Sequence, residues 1–260
     1  MMKKLMRLVP VLVLSLIFCS CTSSEMNEKK DDATLSLKIN ITSYEEVSRT
    51  SASSHSELYL SDCSKQQMFD YFGEIVFNSE YGTGTGTSVK KWNVPIRYRI
   101  YGNATEKDLE VLTDLFAQLN SIEGFPGICA VDDEENLIIS FLDAKDFNAS
   151  FSDVINGEDA YGATEFWYYN DTNEIHTARI GYRTDVDQTV RVSILIEEIV
   201  NMLGVSDTEM REDSIVYQYS NDNTDLSDVD WVILKLLYHP QIKCGMDADG
   251  CNDILEKLYY

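Results

Sequence analysis

Gln188-Thr-Val-Arg-Val-Ser-Ile-Leu-Ile-Glu-Glu-Ile-Val-Asn-Met-Leu-Gly-Val-Ser-Asp207 is the stretch on which the fold turns. Val190, Ile194, Leu195, Ile199 and Leu203 recur at three- and four-residue spacings, which stacks them on one face of a helix of about four turns. Gly204 is the residue type favoured just past a helix end. Val192, Ile196, Val200 and Met202 carry the apolar surface almost all the way round, the pattern of a helix inside a domain. Its polar stripe is therefore narrow. At about 100° per residue, Glu197 and Asn201 lie about 40° apart, Glu198 lies about 60° from Asn201 on the other side, and Ser193 stands one turn before Glu197. A carboxylate in an apolar wall is costly unless it meets water, a cation or hydrogen-bond donors. Two readings stay open: a solvated groove over Ser193, Glu197, Glu198 and Asn201 with no further role, or a polar site where protonation or ion binding matters.

Outward from this helix, the N-terminus has the make-up of a secretory signal over residues 1–20. Lys3, Lys4 and Arg7 precede an apolar run from Leu8 to Phe18 that is too short to span a bilayer. Phe18-Cys19-Ser20-Cys21 resembles a bacterial lipobox, which implies cleavage before Cys21 and lipidation of that cysteine, with Phe18 departing from the usual Leu. Residues 21–64 are rich in Ser, Thr, Lys, Asp and Glu and read as a flexible tether, with one candidate strand from Leu35 to Ile41. Residues 65–246 are long enough for one domain with a sizeable core, and 247–260 follow as a C-terminal tail.

The formal charge is −23. Loss of the three cations in residues 1–20 takes it from −23 to about −26. A chain this acidic is a poor partner for nucleic acid or for bare anionic lipid. Gly82-Thr-Gly-Thr-Gly-Thr87 lacks the lysine and following helix of a phosphate-cradling loop and reads as a mobile loop. With Cys21 lipidated and the compartment oxidising, Cys63, Cys129, Cys244 and Cys251 are candidates for two disulfides. Cys244 with Cys251 brackets a short loop and leaves Cys63 with Cys129, although three connectivities are formally open. The Asp247-Ala-Asp249-Gly250 fragment is too short for a calcium loop and reads as a turn.

Within the domain, Gln67–Phe77 is expected to be helical and Ile96–Tyr101 a strand. Thr105–Leu119 is an amphipathic helix with Leu109, Leu112, Leu115, Phe116 and Leu119 on one face. Leu137–Phe141 reads as a buried strand. Thr164–Tyr169 and Ile175–Tyr182 flank a turn signal, which makes them a hairpin. Ser227 and Asp230 form an N-cap pattern for a last helix, Asp228–Tyr238, stopped near Pro240. Strands in a block with helices packed on them give an α+β domain.

This order resembles the metzincin zinc peptidases, the matrixins especially. Aligned on Gly204, the helix motif of that branch puts Glu197 at the first metal-ligand position, Glu198 at the catalytic glutamate, Asn201 at the second ligand and Asp207 at the third. Asp213-Ser-Ile-Val216-Tyr resembles the segment of the Met-turn, with Val216 in place of Met, and Leu226-Ser-Asp-Val-Asp-Trp-Val-Ile-Leu-Lys-Leu-Leu-Tyr238 resembles the matrixin last helix. The resemblance implies a metzincin-like zincin: a twisted mixed sheet packed on a long helix and a central helix, with the last helix after a Met-turn-like segment and a cleft near Ser193 and Val216. Residues 66–246 also resemble an uncharacterised bacterial family of exported, often lipid-anchored proteins. That likeness rests on Tyr71–Gly82, Lys91-Trp92 leading to Pro95-Ile96, Glu197-Glu198 with Leu203-Gly204, and Leu236–Met246.

Catalytic zinc favours imidazole or thiolate ligands. The histidines are His55, His176 and His239, and none lies on the central helix. His239, beside Pro240, is expected to serve the last carbonyls of its helix. A set of Glu197, Asn201 and Asp207 is all oxygen and suits a hard divalent cation better than zinc. No cofactor is expected. The expectation is a membrane-anchored, degenerate peptidase-like module that binds an unknown protein or envelope component. The alternatives are a purely structural lipoprotein, or an active hydrolase with Glu198 as general base.

Overall fold

The computed structural model describes residues 58–77, 88–155 and 160–259. The expected signal segment (residues 1–20), Cys21, His55, the candidate strand Leu35–Ile41 and the stretch Gly82–Thr87 lie outside the described residues. In chain order the elements are α1 (Lys65–Phe77), β1 (Lys91–Trp92), β2 (Ile96–Gly102), α2 (Glu106–Leu119), β3 (Ile128–Ala130), β4 (Leu137–Leu142), α3 (Ala144–Ser150) and α4 (Ser152–Ile155). They continue with β5 (Gly162–Tyr168), β6 (Glu174–Arg183), α5 (Gln188–Met202), α6 (Asp228–Tyr238) and α7 (Ala248–Leu258).

The architecture is mixed α/β with a mostly parallel sheet, ordered β1-β6-β4-β2-β3. Those neighbours all pair in parallel, and β5 alone runs antiparallel, against β6. The expectation of strands in one block is thus corrected. Only β5 and β6 form a hairpin, while β2 reaches β3 through α2, because a parallel return needs a crossover. Alternation sets the faces: Ile96 on β2, Leu137, Ile139 and Phe141 on β4, and Ala178, Ile180 and Tyr182 on β6 are buried under the large helices. On the other face α3 and α4 cover one end of the sheet with a small separate cluster of Phe147, Phe151, Ile155 and Ala163.

Local capping chemistry places the helix starts. Thr105 and Ser227 each accept from the backbone N–H three residues on, and Asp108 and Asp230 reach back in reciprocal capping boxes. The far end of α5 is buried, so its terminal carbonyls need donors. Trp92 Nε1 donates to Met202 O at 2.9 Å and the Tyr238 hydroxyl donates to Leu203 O at 3.1 Å. Gly204 follows with φ +100°, and a Cβ there would stand 2.0 Å from Lys90 O. A side chain at this position would push α5 off β1.

The end of the chain departs from the expected tail. Residues 247–260 contain α7, whose Cys251 and Leu255 are fully buried. Residues 58–64, expected at the end of the tether, pack into the same region, with Tyr259 Oη accepting from Leu60 N at 3.3 Å and donating to Cys63 O at 2.9 Å. Cys63, Cys129, Cys244 and Cys251 are all free thiols, so neither expected disulfide is present. The reason is structural: Asp247 caps α7 and the helix turns Cys251 into the core, while Cys244 Sγ lies 3.5 Å from Lys91 O.

Candidate functional site

At its N-terminal end α5 is fixed by a buried ion pair. Arg191 Nε donates to Asp108 Oδ1 at 3.0 Å, with side-chain exposures of 6% and 0%. Gln188 Nε2 also donates to Asp108 at 2.6 Å, and Arg191 gives further hydrogen bonds to Thr184 O and to Gln188 Oε1. Burial works to raise the Asp108 pKa, but donors from Gln188, Thr105 and Arg191 together hold it below the usual carboxylate range. In the middle of the helix, the Tyr182 hydroxyl donates to Leu195 O at 2.9 Å. Burial pushes this phenol well above its ordinary pKa, and the charges of Glu198, Glu197 and Asp108 push the same way.

The acidic pair on α5 is split. Glu197 is half-buried and accepts from Asn221 Nδ2 at 3.0 Å, which ties it to the loop before α6. Glu198 turns toward β5: Thr164 Oγ1 donates to its backbone carbonyl at 3.0 Å, and a Cβ on Gly162 would lie 2.8 Å from its Oε1. Gly162 is thus what admits the Glu198 side chain beneath the edge strand. One turn on, Asn201 Nδ2 donates to Asp207 Oδ1 at 3.2 Å, while Asn201 Oδ1 is buried without a hydrogen-bond partner. Ser193 Oγ is likewise buried and without a partner.

Ser193 and Val216, expected at a cleft, are 0% and 1% exposed and belong to the packed interior. Val216 is buried because its segment is clamped from both sides. Val216 O accepts from Thr208 N at 2.8 Å, and Asp230 accepts Ser214 Oγ at 2.6 Å and Ile215 N at 3.0 Å. Burial raises the Asp230 pKa against these donors and those of Ser227. Next to Asp207, Thr208 Oγ1 donates to Glu74 on α1 at 2.6 Å and Glu209 N donates to it at 3.0 Å, a partner that no local spacing had announced.

The opening alongside α5 lies one face away from the acidic stripe. A groove of about 470 Å³ runs between α2 and α5, floored by Val111, Leu115, Val192 and Ile196 and closed by Leu226 and Trp231. Leu115 and Ile196 are buried at its base, while Val111, Val192, Leu226 and Trp231 stay half-buried where the two helices meet the segment before α6.

His176 and His239 make their contacts away from this stripe. His176 stacks on Tyr169, with ring centroids 4.3 Å apart. His239 follows α6, but its Nδ1 accepts from Gln241 N at 3.3 Å, and burial pushes its pKa below the ordinary value. The carbonyl-capping role expected of it belongs to Lys91, whose Nζ donates to Leu237 O and Ile242 O, each at 2.7 Å. Among the described residues no group of three or more His, Cys, Asp or Glu side chains is arranged to hold a metal ion, and no helix is long and apolar enough to cross a membrane.

A family model described as "Protein of unknown function (DUF2927)" matches residues 65–257. No curated protein matches the chain.

Proposed function

The chain belongs to the DUF2927 family of proteins of unknown function, and from that premise we propose that it is an exported, lipid-anchored envelope protein whose zinc-peptidase-like domain binds a ligand and does not cut it. Export and anchoring rest on the charged start, the apolar run and Cys21 of the sequence. The peptidase-like framework rests on the succession of strands, central helix α5, Gly204, the Asp213–Tyr217 turn and α6. It rests also on the single antiparallel strand β5 lying against α5.

The observation that carries the loss of catalysis is the pairing of carboxylates with amides. At the positions where a peptidase of this plan holds its metal, Asn201 donates to Asp207 and Asn221 donates to Glu197. An amide N–H satisfies a carboxylate oxygen as a cation would, without bringing a Lewis acid or an activated water. The ligand, an unidentified protein or envelope component, is placed in the groove between α2 and α5.

The second reading is an oxygen-ligand site for a hard cation at Glu197, Asn201 and Asp207, with Glu198 as general base. The unpartnered Asn201 Oδ1 beside Asp207 favours it. Metal analysis of the mature protein and turnover of a peptide library decide between the two. The binding reading expects neither stoichiometric zinc nor turnover. A zinc signal lost in Glu198→Ala, or turnover lost in Glu198→Gln, overturns it.

A further inference from the structure

The groove between α2 and α5 is held open by its own framework. The two helices are pinned to each other at their N-terminal ends, where Gln188 and Arg191 on α5 both donate to Asp108 on α2 and Thr105 Oγ1 donates to Gln188 Oε1 at 2.9 Å. From this pin the groove follows α2 from Lys107 to Gln118, a length of about 16 Å at about 1.5 Å per residue, or three helical turns. Val111, Val192, Leu226 and Trp231 come from α2, α5, the segment before α6 and α6 itself, and all four are half-buried. A trough of this length lined by partly open apolar side chains is the form that takes the apolar face of an amphipathic helix.

The charges around the trough are unbalanced. Lys107 is its one lining cation, and Glu110 already holds it at 3.0 Å. Asp114 on α2 and Asp225 before α6 line the groove and are exposed, and among the described residues neither has a cation at ion-pairing distance. The segment from Ser220 to Asp228 adds Asp222 and Asp228 and holds no lysine or arginine. Lys235, one turn past Trp231 on α6, does not line the groove. The outer sheet face is the contrast. There Arg179 is paired with Glu165 and Arg183 with Asp185, while Glu135 accepts the Tyr101 hydroxyl at 2.7 Å with the charge of Arg99 beside it. Acids are matched on that face and left unmatched at the groove.

Resting on the reading that the ligand occupies this groove, we propose that the ligand is a basic amphipathic helix of a partner protein. Its apolar face lies on Val111, Val192 and Trp231, and lysines or arginines on its flanks meet Asp114 and Asp225. The half-buried tryptophan is the residue type that concentrates binding energy in an interface. The aspartates select the sign of the partner and speed its approach more than they add affinity. The pinned helix ends spare the complex much of the cost of ordering the site.

The test uses the mature chain with a fluorescent synthetic Lys/Leu helical peptide of three to four turns and its Gln/Leu counterpart. The Lys/Leu peptide binds at least tenfold more tightly than the Gln/Leu peptide, and added salt weakens it. Trp231→Ala weakens binding by about tenfold or more, with Val111→Ser as a second probe of the apolar wall should Trp231→Ala fail to fold by circular dichroism. Asp114→Asn combined with Asp225→Asn weakens it by about threefold to tenfold, while Asp132→Asn combined with Asp133→Asn, the same charge change on the loop between β3 and β4, leaves it unchanged. The proposal is overturned if neither peptide binds, or if the two double variants behave alike. Equal binding of both peptides, lost in Trp231→Ala, keeps the groove as the ligand site and removes the basic occupant. Lys/Leu binding that ignores both Trp231→Ala and Val111→Ser removes the groove reading as well.

Discussion

Asn201 and Asp207 hold the C-terminal end of α5 to the loop that follows it, amide to carboxylate at 3.2 Å. The neutral donor is what makes this contact favourable. Asn201→Asp replaces it with a second carboxylate at the same place, and like charges at this range in a partly buried site cost about 1–3 kcal/mol. For a domain of this size that lowers Tm by roughly 2–10 °C. The loss should shrink below the carboxylate pKa range and be recovered by millimolar calcium or manganese in the variant. Thermal melts of parent and variant with and without the ion check this. A parent that is itself strongly stabilised by either ion favours the hard-cation reading.

Arg191→Met strips the cation from buried Asp108 and leaves a carboxylate with only amide and hydroxyl donors in a dry interior. Removing one partner of such a pair costs about 3–5 kcal/mol. The sign with pH follows from the depressed Asp108 pKa. At acidic pH the unfolded chain binds the proton that the folded chain refuses, so stability rises with pH there. The contribution of Asp108 is complete above its unfolded pKa and is lost as pH falls through the lower folded one. Urea denaturation along an acid series should show the parent losing this increment and Asp108→Asn showing a flatter profile.

Much of this framework is legible locally. The helix starts at Glu106 and Asp228 follow from capping residues three positions apart, and the turn between β5 and β6 follows from its Asn and Asp content. What escapes the sequence is set across the chain. A strand as short as Lys91-Trp92 has no periodicity to detect, and its pairing with β6 spans about eighty residues. The bracketing of 244–251 by cysteines suggested a closed loop, whereas the Asp247 cap starts α7 there. The opposite directions of Glu197 and Glu198 depend on Asn221 and Gly162, neither of which lies near them in sequence.

Lys91 offers a second pH signature of opposite chemistry. Burial is the main reason its pKa falls from 10.5 to about 8. Below pH 8 it is charged in both states and the full cost of burying the charge is present. Between pH 8 and 10.5 the unfolded chain keeps a proton that the folded chain has released, so the Lys91 contribution rises with pH across that window. Lys91→Met removes this term and leaves Leu237 O and Ile242 O without their donor, at a cost of about 1–3 kcal/mol. The stability difference between parent and variant, measured by urea denaturation from pH 7 upward, should therefore widen in favour of the parent through the window. A constant difference would mean that Lys91 titrates as an exposed lysine.

Four free thiols in distinct surroundings give the most direct check on the packing of the chain's two ends. Cys129 is exposed on β3, Cys244 is half-buried, and Cys63 and Cys251 are buried. Burial raises the pKa of Cys63 and Cys244, and it raises that of Cys251 to about 11, which withholds the thiolate that reacts. With a thiol-specific chromogenic reagent, the native mature protein should therefore show one fast class from Cys129, a slower one from Cys244, and almost nothing from Cys63 and Cys251 until denaturant is added. Tyr259→Phe removes the hydroxyl that bonds Leu60 and Cys63, and should bring Cys63 into the reactive set while leaving Cys129 unchanged. Recovery of only two of these four thiols from the unreduced, denatured protein would instead reveal one oxidised pair, and recovery of none would reveal two; a pair that uses Cys251 would require α7 to leave the place it holds beside α1.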